Sequence, residues 1–189
     1  MSEIYVPAED SYLLQDCIKK FLKKRKIKSA LDMGSGSGIQ TKTFLNFNIV
    51  PEHITLVDIN KEAIKDLKSI FPRSKVIHSN LFAKVKGKFD LIVFNPPYLP
   101  EDKFDKNKDT SGGKIGNEII IKFLKQAKNH ITNKGSILLL VSSLTPKINF
   151  TSLGYKKKII GRKKLFYEKL IVLELDIFPP KLYKYRRIL

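Results

Sequence analysis

The chain holds one cysteine, Cys17, in 189 residues. A lone thiol closes no internal disulfide, so the expected setting is a reducing cytosol. Cys17 stands among Leu13, Leu14, Ile18, Phe21 and Leu22 on one helical face and reads as core filler. Long apolar runs are missing too. The longest, such as Ile137 to Val141, fall far short of the roughly 20 residues that span a bilayer. The opening MSEIYVPAED lacks the basic, apolar and small-residue order of a signal peptide, so no membrane or secretory role is expected. Histidine is scarce: His53, His78 and His130 sit on unrelated segments, with no spacing that gathers metal donors. No internal repeat or low-complexity block is present. Acids are outnumbered, 18 against 36 Lys and Arg, giving a formal charge of +18. Basic residues crowd into Lys19 to Lys28, Lys84 to Lys88, Tyr155 to Lys164 and Lys181 to Arg187. A solvated lysine surface and a patch facing nucleic acid or the ribosome are equally open readings.

A chain of this length fits one domain, 1–189, able to bury about 70% of its unfolded surface. Apolar spacing predicts a first helix over Asp10 to Lys24, capped by Asp10 or Ser11. Strands are then expected at Ser29 to Met33, Ile54 to Ile59, Lys75 to His78, Leu91 to Phe94 and Ser136 to Ser142. Helices are expected at about Ile39 to Phe47, Lys61 to Phe71 and Gly116 to Ile131. That alternation implies an α/β fold, a parallel sheet covered on both faces. Two closing strands, Tyr155 to Ile160 and Leu170 to Asp176, form a hairpin ended by Pro179 and Pro180. Residues 100–116 are polar, contain Gly112 and Gly113, and lack apolar periodicity, as a lid, substrate clamp or ordinary loop would. The tail KLYKYRRIL mixes basic and aromatic residues, suited either to RNA or to packing on the domain.

Two stretches carry chemistry. SALDMGSGSG ends an apolar strand in Gly34, Gly36 and Gly38, then gives way to a helix. Dinucleotide fingerprints read GxGxxG and phosphate loops require GK followed by Ser or Thr; neither is met. Asp32, two residues ahead of the glycines, suits a cationic ligand at the cradle mouth. Asp58, at the end of ITLVDI, can accept from both hydroxyls of a ribose. Asn80 and Leu81, after Ser79, can meet the edge and face of adenine. A cationic nucleoside with an amino acid end describes S-adenosylmethionine, whereas a generic glycine turn would need none of these acids.

The second stretch is FDLIVFNPPYLP. Asn95 follows a strand directly, and Pro96 and Pro97 remove two N–H donors, leaving rigid carbonyl acceptors. Tyr98 adds a ring for a flat group. Asn95 and the Pro96 carbonyl can each accept one proton of a planar NH2, posing a delocalised and weakly nucleophilic nitrogen for transfer. Such orientation is worth roughly 7 to 11 kcal/mol of barrier. The bland alternative is a strand followed by a proline turn.

LDMGSGSG, LVDIN, SNLF, FDLIVFNPPY and SGGKIGNEII together resemble the class I S-adenosylmethionine-dependent methyltransferases, specifically the HemK-like glutamine methyltransferases of class 1 peptide chain release factors. IYVPAEDSYLL resembles the signature of the archaeal and eukaryotic two-subunit branch. The resemblance implies a Rossmann-like, seven-stranded, mostly parallel sheet with a C-terminal antiparallel hairpin. It implies cofactor contacts from Ser11, Asp32, Gly34, Gly36, Gly38, Asp58, Asn80, Leu81 and Asn95, with Asn95, Pro96, Pro97 and Tyr98 holding the glutamine. It also implies a small zinc-binding activator protein as a heterodimer subunit, covering an apolar sheet edge at Val76 and Ile77. The sequence departs from the family at Asn80, where an acid is frequent, and after the fifth strand, where LTPKINFTSLGY is short for a helix. Methylation of an adenine or guanine amine in nucleic acid remains the rival enzymatic reading. A non-catalytic cofactor-binding scaffold is the other.

Overall fold

The computed structural model describes residues 4–97 and 117–178. Tyr98, the polar loop and the basic tail lie outside the described residues, as do Pro179 and Pro180. Helix α1 (Glu9–Leu22) leads into β1 (Ala30–Met33), α2 (Ile39–Asn46), β2 (Ile54–Asp58), α3 (Lys61–Ile70), β3 (Lys75–His78) and β4 (Phe89–Phe94). Helix α4 (Glu118–Ala127), β5 (Ile131–Ser142), β6 (Tyr155–Lys164) and β7 (Lys169–Ile177) complete the order. The sheet has seven strands in the order β3-β2-β1-β4-β5-β7-β6. The first five neighbours pair in parallel, and β7 runs antiparallel to both β5 and β6.

Period-two alternation assigns the side chains of the central strands to two cores. Leu31, Met33, Ile92, Phe94, Ile137 and Leu139 face Ile120, Phe123 and Leu124 of α4. Ala30, Leu91, Val93, Leu138 and Leu140 face α1, through Leu14, Cys17, Ile18 and Phe21, and the buried Phe44 of α2. Burial on both faces is what a parallel sheet demands, and it explains why β1, β2 and the Ile137 to Val141 part of β5 read as nearly continuous apolar runs. Cys17 is buried here as expected, and burial pushes its thiol up to about 11, away from reactivity.

Four expectations need correction. Asp10 and Ser11 do not cap α1: its N-cap is Ala8, and both residues are buried inside the first turn. Helix α4 stops at Ala127 rather than near 131, because Asn129 and His130 turn back onto Gln126 and Ala127. Ile131 is instead the first residue of β5, opposite Phe89 across a bulge, so that strand begins well before Ser136. Strand β6 runs four residues beyond Ile160, to Lys164, past a second bulge near Gly161. Residues 143–154 form turns and no helix, in agreement with the reading of LTPKINFTSLGY as short for one.

Chain order reverses at β1, whose neighbours are β2 on one side and β4 on the other. Open α/β sheets bind ligands at the carboxyl ends of strands flanking such a switch. The glycine turn follows β1, and Asn95 follows β4.

Candidate active site

Gly34, Gly36 and Gly38 all take left-handed φ, at 62°, 49° and 74°. At Gly38 a Cβ would sit 2.4 Å from Phe71 Cε2, so the start of α2 closes against α3 only because no side chain is there. At Gly36 a Cβ would meet nothing within 4 Å, which leaves the backbone open toward a ligand. The loop is pinned by Ser35, whose N–H donates to Val57 O at 3.1 Å and whose Oγ donates to Asp32 O at 2.8 Å.

Asp58 faces this loop directly. Its Oδ2 accepts from Gly36 N at 2.8 Å and its Oδ1 from Asn60 N at 2.8 Å. Each oxygen keeps acceptor capacity, so the carboxylate both shapes the cradle and can take ribose hydroxyls. Ser79 N donates to Asp58 O at 2.9 Å, which brings the end of β3 alongside. Asn80 is exposed there, and Leu81 is buried with φ of 50°. A left-handed leucine costs on the order of 1–3 kcal/mol and is held by its surroundings, here Phe82, Val85 and α4 of the same core.

Asp32 does not stand at the cradle mouth as expected. It is 2% exposed, and its Oδ2 accepts from Thr41 N at 3.1 Å and Thr41 Oγ1 at 2.8 Å. The physical reason lies in α2: its N-cap is Gly38, which has no side chain to satisfy the orphan N–H groups. Asp32 supplies that acceptor from the neighbouring strand. Burial pushes its carboxyl up to about 7 against the lowering effect of the Thr41 hydrogen bonds, with the Asp58 charge adding to the rise. A cation placed beside it would favour ionisation.

The start of α1 joins the two halves. Asn95 Nδ2 donates to Asp10 Oδ2 at 2.9 Å, while Tyr5 Oη donates to Asp10 Oδ1 at 2.9 Å. Burial chiefly, then the Asp10 charge and hydrogen bond, and finally the Glu168 charge hold the Tyr5 phenol well above its usual range. With its amide nitrogen so committed, Asn95 Oδ1 is left buried without a partner among the described residues. Gln40 repeats the pattern: Nε2 donates to Ser11 O at 2.9 Å, and Oε1 is buried without a partner among the described residues. Buried acceptors are normally satisfied, so two beside one cradle mark where a donor-bearing ligand belongs. Pro96 is buried and Pro97 half-buried behind Asn95.

Ser11, Gly34, Gly36, Gly38, Asp58, Asn80, Leu81 and Asn95 thus lie toward one sheet edge, with Asp32 buried beneath the glycine turn. Sequence reading missed Asp10, Tyr5, Thr41 and Gln40 as members. Among the described residues no three His, Cys, Asp or Glu side chains gather as metal donors. His78 lies against Ile59 O at 2.9 Å and His130 against Gly87 O at 3.0 Å, on separate elements.

The family described as "Methyltransferase small domain" matches residues 11–157. A Methanocaldococcus jannaschii protein, provisionally named a protein N5-glutamine methyltransferase, is 38% identical over 90% of this chain and 90% of its own length. Methyltransferase HEMK2 of Mus musculus is 29% identical over 73% of this chain and 71% of its own. Among solved structures, the E. cuniculi Mtq2–Trm112 complex, which is described as methylating the termination factor eRF1, matches with a TM-score of 0.72. That match covers 94% of this chain and 99% of the other at 22% identity, a likeness of fold.

Proposed function

Because the chain belongs to the methyltransferase small domain family and has its class I fold, we propose that it moves a methyl group from S-adenosylmethionine to the side-chain amide nitrogen of a glutamine in a class 1 release factor. The name of the Methanocaldococcus jannaschii relative supports a glutamine amide as acceptor, and the description of the Mtq2–Trm112 complex supports a termination factor as its carrier. The observation that carries the chemistry is Asn95 Oδ1 at the tip of β4, buried and without a partner among the described residues.

The residues of the cradle fit a cationic nucleoside. Asp58 takes the ribose, the open backbone at Gly36 lets the nucleoside lie close, Leu81 and Asn80 flank the adenine, and Ser11 and Gln40 border the amino acid end. Asp32 contributes charge from behind α2. Bound there, S-adenosylmethionine supplies an electrophilic methyl group. Asn95 Oδ1 accepts one proton of the incoming NH2 and the Pro96 carbonyl the other. Pro97 stiffens that turn, and Tyr98, next in sequence, offers a ring to the amide plane. Two acceptors on one amide nitrogen favour its pyramidal form, so they strengthen as the new bond grows. No base must act first, since the methylated nitrogen loses its proton afterwards.

The reading includes a heterodimer with a small zinc-binding activator, one domain spanning 1–189, and a cytoplasmic setting. Strand β3 supports the docking site. It is an edge strand with half-buried Val76 and Ile77, and Ile59 and Ile70 are exposed nearby. Among the described residues no helix is long and apolar enough to cross a membrane.

The test is transfer of a labelled methyl group to release factor and to RNA, each with and without the activator. Label on the release factor glutamine, lost in Asn95→Ala with cofactor affinity nearly unchanged, is the expected outcome. Label on RNA alone would replace this reading with exocyclic amine methylation.

A further inference from the structure

The two most exposed large hydrophobic side chains among the described residues are adjacent. Phe166 is 90% and Tyr167 85% exposed, at the tip of the β6–β7 hairpin. Their rings meet edge to face, centroids 4.6 Å apart at 78°. The tip is not a frayed loop. Leu165 N donates to Glu168 O at 2.8 Å, Ser143 N donates to Lys169 O at 2.8 Å, and Ser142 Oγ donates to the Glu168 carboxylate. Leu165 packs against the core below it. A rigid hairpin that holds two aromatics in water implies a partner that buries them.

Its place in the fold says which partner. Leu170 of β7 pairs with Ser142, the last residue of β5, so the tip projects from the carboxyl edge of the sheet, the edge at which β4 delivers Asn95. Lys163 beneath the tip pairs with Glu9, and the next residue, Asp10, holds Asn95. Leu144, 49% exposed, follows Ser143 on the same rim. Lys164 and Lys169, which end β6 and begin β7 on either side of the tip, are exposed.

We infer that Phe166 and Tyr167 form a docking wedge for the protein substrate, entering an apolar pocket with an acidic border on the same face as the target glutamine. This rests on the proposed function and extends it. One amide gripped by Asn95 and Pro96 offers little affinity, so recognition of a whole protein draws on contacts remote from the reacting nitrogen. Aromatic side chains enclosed by a partner supply such affinity, tyrosine being among the residues enriched where binding energy concentrates. Nucleic acid is the other occupant that open aromatic faces would fit, and the test below separates it.

The experiment compares full-length protein with Phe166→Ala/Tyr167→Ala, each with the activator subunit, on release factor and on a short peptide bearing the same glutamine. Both positions are exposed, so the fold should survive. With release factor, kcat/KM is expected to fall roughly tenfold or more, through KM. With the peptide, kcat/KM stays at the wild-type value, as does cofactor affinity. Equal losses on both substrates, or none on release factor, overturn the inference while leaving the proposed function standing. Loss of affinity for a single-stranded RNA with release factor kinetics unchanged also overturns it, in favour of an RNA surface. Wild-type protein that methylates neither substrate removes the proposed function itself.

Discussion

Asp10 on α1 and Asn95 after β4 are bonded across 85 residues, Asn95 Nδ2 donating to Asp10 Oδ2 at 2.9 Å. A carboxylate accepts only, so it dictates which end of the amide faces it. The oxygen of Asn95 is thereby aimed elsewhere, into a buried position with no partner among the described residues. Asp10 is in turn held by Tyr5. The pair works as a preset acceptor whose orientation costs nothing when substrate arrives.

Replacing Asp10 by Ala frees the Asn95 amide to rotate or shift. Misplacement on the scale of an ångström costs about 10²-fold in rate, so kcat should fall by that order. Cofactor affinity, which rests on Asp58 and the glycine turn, should change little. Single-turnover transfer beside calorimetry of cofactor binding checks this. Partial rescue by Asp10→Glu, which restores a carboxylate, would mark orientation rather than folding as the cause. A Tyr5→Phe change removes only the outer link and should cost far less.

This relationship also marks where sequence reading stops. The parallel sheet, the glycine turn and Asn95 at a strand tip were legible because each is written locally, in periodicity or in a few neighbouring residues. Asp10 was legible only as a cap, since its partner lies on another element. Asp32 shows the same limit from the other side. Its nearness to the glycines implied a ligand contact, but the missing side-chain cap at Gly38 drew it to Thr41. The boundary between α4 and β5 went astray because Ile131 fits a buried helix end and a buried strand start equally well, and only pairing with Phe89 decides.

Asp58→Ala should weaken cofactor binding by an order of magnitude or more, the loss of a charge-assisted hydrogen bond of roughly 1.5–3 kcal/mol. Because the same carboxylate holds Gly36 N, loss of binding alone does not identify the ribose contact. A cofactor analogue lacking a ribose hydroxyl does. Wild type should discriminate against it, and Asp58→Ala should bind analogue and parent equally. Discrimination that persists in the variant would move the ribose away from Asp58.

Gly36 and Gly38 should respond differently to alanine. At Gly38 a left-handed φ combines with a Cβ 2.4 Å from Phe71, so Gly38→Ala should lower stability by about 1–3 kcal/mol in denaturant titration. Trimming Phe71 to Leu in the same chain relieves the contact but not the backbone strain, and should recover only part. At Gly36 the space is open, so the strain alone, about 1–2 kcal/mol, bears on folding. The added methyl instead stands where a ligand would approach, and cofactor affinity should fall more than stability does.

Asp32 carries a pH dependence whose sign is fixed by burial. Its carboxyl is pushed from 3.8 up to about 7 in the folded chain. Between those values the folded protein keeps a proton that the unfolded chain has released, so this group makes stability fall as pH rises through the window and adds no slope above it. Asp32→Asn retains an acceptor for Thr41 N but cannot titrate. The difference in denaturation midpoint between wild type and Asp32→Asn should therefore change between about pH 4 and 7 and then level off. A difference flat across that range would mean that Thr41 compensates burial fully. S-adenosylmethionine adds positive charge to the cradle and favours the ionised form, so saturating it should move the levelling point to lower pH.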